Sequence, residues 1–115
     1  MGRLNLSIFF SRLLLTSQEV IMYNRVSLHA LITGRVQGVF FRAFVLEKAQ
    51  QLDLTGYVHN MPSVQNVEVV AEGEHSKLEK LVEYLKTGPP ESRVDKIDLT
   101  WGKFSARYSS FIVRS

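Results

Sequence analysis

The chemistry of this chain is concentrated in one short run. Residues 34–42 read Gly34-Arg35-Val36-Gln37-Gly38-Val39-Phe40-Phe41-Arg42. Two glycines bracket a turn, an apolar strand pattern precedes it, and an apolar helix pattern follows. Arg42 falls where that helix should begin. A cation there is locally unfavourable, because a helix N-terminus already carries partial positive charge and unpaired N–H donors. The placement makes sense when an anion lies between the guanidinium and the loop. Backbone amides, a helix end and a fork-shaped donor together make a phosphate or carboxylate site.

The elements that must position this run are legible on either side of it. Val26, Leu28, Ala30 and Ile32 alternate with Ser27, His29 and Thr33, the period of a half-buried strand. Phe41, Phe44, Val45, Ala49 and Leu52 recur at spacings of three and four, which predicts an amphipathic helix ending before Gly56. A short strand follows over 54–60 through Tyr57 and Val58, then a turn at Met61 to Asn66 containing Pro62. Val67, Val69 and Ala71 alternate with Glu68, Val70 and Glu72 in a third strand up to Gly73. Ser76 is expected to cap a second helix, with Glu79 completing a capping box. Leu78, Leu81, Val82 and Leu85 form that helix's apolar stripe, and Gly88-Pro89-Pro90 stops it. A fourth strand is expected over Val94 to Trp101, with Ile97, Leu99 and Trp101 on one face, and a last short strand over Phe111 to Val113.

This order predicts an α+β, ferredoxin-like βαββαβ sandwich, an antiparallel sheet with two helices on one face. In that topology the first and second strands run parallel with the third between them, so their C-terminal ends share one edge of the sheet. The loop 34–42 follows the first strand and Asn60 closes the second. The topology therefore brings Asn60 beside the anion loop.

The bulk numbers set bounds on this reading. The chain has 115 residues, 45% hydrophobic and 22% charged, which fits one globular domain with a modest core. There is no cysteine, which excludes disulfides, thiolate nucleophiles and cysteine-based metal sites. The formal net charge of +3 suits an anionic substrate and is too small to argue for nucleic acid. Residues 1–24 differ in character, with an apolar cluster from Leu4 to Leu15 interrupted by Arg12, which leaves too short a run for a spanning helix. They are read as an N-terminal extension, either disordered or upstream of a natural start at Met22, and residues 25–115 as the domain.

The residues of both blocks resemble the acylphosphatase family. Gly34, Val36, Gln37, Gly38, Val39, Phe41 and Arg42 fit its first signature, and Gly56, Tyr57, Val58, His59 and Asn60 begin its second, with the similarity running over about residues 26–115. The resemblance implies metal-free and cofactor-free hydrolysis of acyl phosphates, with Arg42 holding the phosphate and Asn60 positioning water. The chain departs from the family in two places. Ser63-Val64 stands where Asp-Gly is common, in a turn one residue longer, and His59 stands where Arg or Lys is usual.

The residues support that chemistry on their own terms. Phosphoryl transfer needs charge neutralisation on the equatorial oxygens and an in-line nucleophile. The amides of Arg35, Val36, Gln37, Gly38, Val39, Phe40 and Phe41, with the guanidinium of Arg42, meet the first need. Asn60 is not basic, yet it can hold a water through its carbonyl oxygen and amide. His29, His59 and His75 show no ligand spacing, so no metal is expected; His29 and His59 are read as solvent-facing strand side chains. Gln37 either touches the anion or satisfies backbone groups. The alternative function is a non-catalytic anion-binding regulatory module on the same fold. RNA binding is disfavoured, because the third strand carries two acids and no aromatic. The expected partner is a small-molecule acyl phosphate, with no nucleic acid and no membrane, and the protein is expected to be a cytoplasmic monomer.

Overall fold

The computed structural model describes Thr16, residues 24–62 and residues 64–115. The expectation for residues 1–24 lies almost wholly outside the described residues. Strand β1 (Arg25–Arg35) leads into helix α1 (Phe41–Gln51), followed by β2 (Thr55–Asn60), β3 (Val67–Glu74), α2 (His75–Thr87), β4 (Arg93–Lys103) and β5 (Phe111–Arg114). The strands form one sheet in the order β4-β1-β3-β2-β5. β3 is antiparallel to both β1 and β2, so those two run parallel to each other with β3 between them. The sheet is mixed rather than purely antiparallel, because β5 adds to β2 in parallel.

Alternation decides which face each residue takes. Leu28, Ala30 and Ile32 of β1, Val67, Val69 and Ala71 of β3, and Val58 of β2 are buried against Phe41, Val45 and Ala49 of α1 and Leu78, Leu81 and Leu85 of α2. Each fully buried leucine contributes on the order of 2 kcal/mol of transfer free energy. The helices meet edge-on through Phe44 and Tyr84, ring centroids 6.2 Å apart, with Lys48 Nζ 4.6 Å from the Tyr84 ring. Leu99 and Trp101 share the helix-side face with Ile97, opposite Ala30 and Leu28. They stay exposed because β4 is an edge strand, and the His75 ring stands 5.0 Å from Trp101. Along that edge β4 carries Arg93 paired with Asp95 at 2.9 Å and Lys96 with Asp98 at 3.7 Å.

A local expectation changes at the start of α2. Ser76 does not cap α2: the helix starts at His75, its N-cap position is Glu74, and no side chain caps it. The strand runs straight into the helix, and the His75 N–H donates instead to the Asn24 carbonyl at 2.8 Å. A main-chain acceptor from the start of β1 thus replaces the side-chain cap. Glu72, on the face opposite the helices, is only 3% exposed. The β4–β5 loop covers it, and its carboxylate accepts from the N–H groups of Ser105 and Ala106 and from the Ser105 hydroxyl at 2.7–3.1 Å.

On the same open face, Glu68 joins β1 to β2. His29 Nε2 donates to one carboxylate oxygen at 2.6 Å and His59 Nε2 to the other at 2.5 Å. Both histidines are half-buried strand residues tied to one acid, rather than solvated side chains. Burial, the largest single influence, pushes the Glu68 carboxyl up, but the hydrogen bonds and charges of His29 and His59 together outweigh it and hold it below its ordinary value.

A lowered native pKa stabilises the fold above the unfolded value and loses that contribution as the acid protonates. Stability owed to Glu68 is therefore complete above pH 4.5, its ordinary value, and falls away below it. Urea midpoints taken at pH 6 and pH 3.5 should drop less in Glu68→Gln than in the parent. Gly34, at φ 139°, sits where the β1–β4 register shifts, and a Cβ there would lie 2.1 Å from the Arg93 carbonyl oxygen. Gly34→Ala should cost about 2–3 kcal/mol in urea unfolding with an unchanged m-value.

Candidate active site

The loop between β1 and α1 is built by backbone handedness. Gly38 (φ 71°) and Phe40 (φ 62°) are left-handed, while Val39 between them is not. Alternating hands along successive residues turn their N–H groups toward one side and make an anion-binding concavity. A Cβ on Gly38 would meet nothing within 4 Å, so the glycine answers the backbone angle and not crowding. Phe40 is the N-cap residue of α1, and its carbonyl takes the first helical bond from Phe44 N–H at 3.0 Å. No side chain caps the helix and its first turn carries no acid. Its first-turn N–H groups thus lack intrahelical partners, at the positive end of the helix.

Asn60 reaches the same place from the sheet. It pairs with Val67, which also pairs with Ile32, so Asn60 stands level with the end of β1. It shares the parity of buried Val58, which turns it to the helix side, while His59 turns to the open face. Arg42 and Asn60 line one cleft of about 430 Å³, together with Val36, Gly38, Phe40, Phe41, Ala43, Leu46 and Val113. Among the described residues the Arg42 guanidinium has no hydrogen-bond or ion-pair partner. Asn60 Oδ1 is buried and also has none. An unsatisfied buried acceptor costs about 1–3 kcal/mol, which is sustained where the group serves a ligand.

The other loop residues separate by role. Val36, Val39 and Phe41 send their side chains into the core. Arg35 is exposed at the end of β1, opposite Arg93. Of these, Arg35 and Val39, like Gln37, do not line the cleft. Gln37 takes the second of its two expected roles: Nε2 donates to the carbonyls of Met61 at 3.1 Å and Asn66 at 2.9 Å. Those carbonyls flank the β2–β3 turn, which Met61 N–H closes onto Asn66 at 2.8 Å. One side chain thereby ties the anion loop to the hairpin that carries Asn60. Ala43, Leu46 and Val113 were not expected in the cleft. Leu46 lies one helical turn beyond Arg42, a spacing visible in the sequence, whereas Val113 arrives through the parallel β2–β5 pairing, which no local pattern signals.

Comparison with known proteins bears on the family and the fold. The acylphosphatase family profile matches residues 28–113. A protein named acylphosphatase from Dehalococcoides mccartyi is 39% identical over 87 residues, 76% of this chain and 96% of the relative. One from Thermus thermophilus is 49% identical over 74 residues, 64% of this chain and 83% of the relative. The solved structure of an acylphosphatase from Coxiella burnetii superposes with a TM-score of 0.77 at 38% identity, covering 86% of this chain and all of that one. On its profile, its close relatives and its fold, the chain belongs to the acylphosphatase family.

Proposed function

We propose that this chain hydrolyses the carboxyl–phosphate bond of small acyl phosphates to carboxylate and phosphate, with residues 25–115 as the working domain of a cytoplasmic monomer. The observation that carries the reading is the convergence of the unpartnered Arg42 guanidinium and the orphaned Asn60 acceptor on one cleft at a helix N-terminus. Amides of the 35–41 loop and Arg42 bind the phosphoryl oxygens and neutralise charge as the transition state forms. Asn60 Oδ1 accepts a hydrogen bond from water and aims its oxygen at phosphorus. The new P–O bond forms as the bond to the acyl oxygen breaks, and that electron pair leaves on the carboxylate. The water proton passes to a phosphate oxygen or to solvent. A carboxylate is a good leaving group, so the site needs no acid–base dyad. No group of three or more His, Asp or Glu side chains placed to hold a metal ion occurs among the described residues, and no helix among them is long and apolar enough to cross a membrane.

Phosphate release from benzoyl phosphate should be unaffected by EDTA. Asn60→Ala should lower turnover by roughly a hundredfold or more while phosphate binding, followed calorimetrically, persists. Arg42→Ala should lose both, with a turnover deficit on the order of 10²–10³, and Arg42→Lys should recover little of it, because an ammonium lacks the planar fork. Wild-type activity in Asn60→Ala would remove the assigned role of that residue. An anion-binding chain that releases no phosphate would favour the regulatory-module reading.

A further inference from the structure

Asn60 takes its aim from its main chain. Its Oδ1 is buried and has no hydrogen-bond partner among the described residues. The main chain at that point is tied lightly. Asn60 is the last residue of a six-residue strand. The β2–β5 ladder ends one residue earlier, at His59 opposite Arg114, so among the described residues Asn60 keeps a ladder partner only in β3, at Val67. Beyond it, Met61 is held by Gln37 through its carbonyl and by Asn66 through its N–H. Before it stands His59, one of the two departures from the family pattern, to which the proposed mechanism gives no part. His59 Nε2 donates to Glu68 at 2.5 Å, and the other carboxylate oxygen of Glu68 accepts from His29 Nε2 at 2.6 Å. Glu68 lies directly opposite His59 in the β2–β3 register and diagonal to His29, which pairs with Val70. The bridge therefore spans three strands. Hydrogen bonds to an ionised acceptor are the strong ones, and the His59 and Glu68 side chains are each only 20% exposed, so water competes less than at a surface pair.

Building on the hydrolase reading, we infer that His59 and Glu68, anchored by His29, are positioning residues for Asn60: their bridge on the open face of the sheet fixes the end of β2, and with it the carboxamide on the other face. His59 and Asn60 share a planar peptide unit and point to opposite faces. A roll of the strand that takes the His59 ring from Glu68 therefore turns the Asn60 side chain within the cleft. β1 and β2 also carry the two halves of the site at their ends, the anion loop after Arg35 and the amide at Asn60. Glu68 ties these strands to each other as Gln37 ties the loops that follow them. An error of about 1 Å in the placement of a reacting group costs on the order of a hundredfold in rate. Freeing the strand end thus lowers turnover far more than affinity for phosphate, which rests on the loop amides and Arg42.

The test separates kcat for benzoyl phosphate from the calorimetric Kd of inorganic phosphate. His59→Leu should lower kcat about tenfold or more while Kd stays within about twofold of the parent value. His59→Gln, which restores an N–H donor, should return kcat to within about threefold of the parent. Glu68→Val, suited to a strand, should cost as much as His59→Leu, and the double variant should cost no more than either, because all three remove one bridge. A bridge that only stabilises the fold would lower the urea midpoint of these variants and leave kcat of the folded protein unchanged, and that result overturns the positioning role. So does a loss shared equally by kcat and phosphate affinity, or a glutamine variant no better than the leucine one. If Glu68→Val does not fold, the two His59 variants decide the matter alone. Each of these failures leaves the hydrolase reading intact, whereas a parent protein that releases no phosphate overturns both.

Discussion

The site depends on one carboxamide. The anion loop and the hairpin carrying Asn60 lie 24 residues apart at their Gln37–Met61 contact, and each is by itself a turn with freedom to shift. The Gln37 side chain bonds both carbonyls flanking the hairpin and removes that freedom. A net gain of about 1 kcal/mol per bond is modest for stability. On the proposed mechanism its larger effect is positional, since in-line attack tolerates little error in where the water sits. Gln37 thus belongs with the sheet register as part of the frame that keeps Arg42 and Asn60 facing each other.

That frame sets the loop against its own comfort. Left-handed backbone at Phe40, an uncapped helix start and a buried, unpartnered amide oxygen on Asn60 are each unfavourable in isolation. On the proposed mechanism a bound anion and a water would relieve them together. Packing of Val36, Val39 and Phe41 into the core holds the loop in this shape, so the hydrophobic core supplies the rigidity that the polar site consumes.

Much of this was readable in the residues. Period-two and period-3.6 patterning located the elements, and the ferredoxin-like order then put Asn60 beside the loop without any contact information. The shortfalls share a physical origin. Ser76 looks like a cap because capping is local, but the Asn24 carbonyl, brought by the β1–β3 register, satisfies the His75 N–H first. Glu72 alternates with core residues as a solvent-facing acid should, yet a loop more than thirty positions later clamps onto it. His29 and His59 look like separate surface histidines until the sheet places Glu68 between them. Val113 enters the cleft only because β5 adds in parallel beside β2. In every case a long-range contact, invisible to a window of neighbouring residues, decides the outcome.

The alternating charges of β4 bear on how the protein behaves in crowded solution. An open strand edge of 11 residues offers a row of unpaired amides to any second chain. Here Arg93, Asp95, Lys96 and Asp98 stand along that row, already engaged with one another across short gaps. A molecule adding to this edge must dehydrate these ions before gaining a ladder bond, and the opposite border, β5, is only four residues long. Templated β-aggregation is thereby obstructed at both margins of the sheet, with no need of a large net charge.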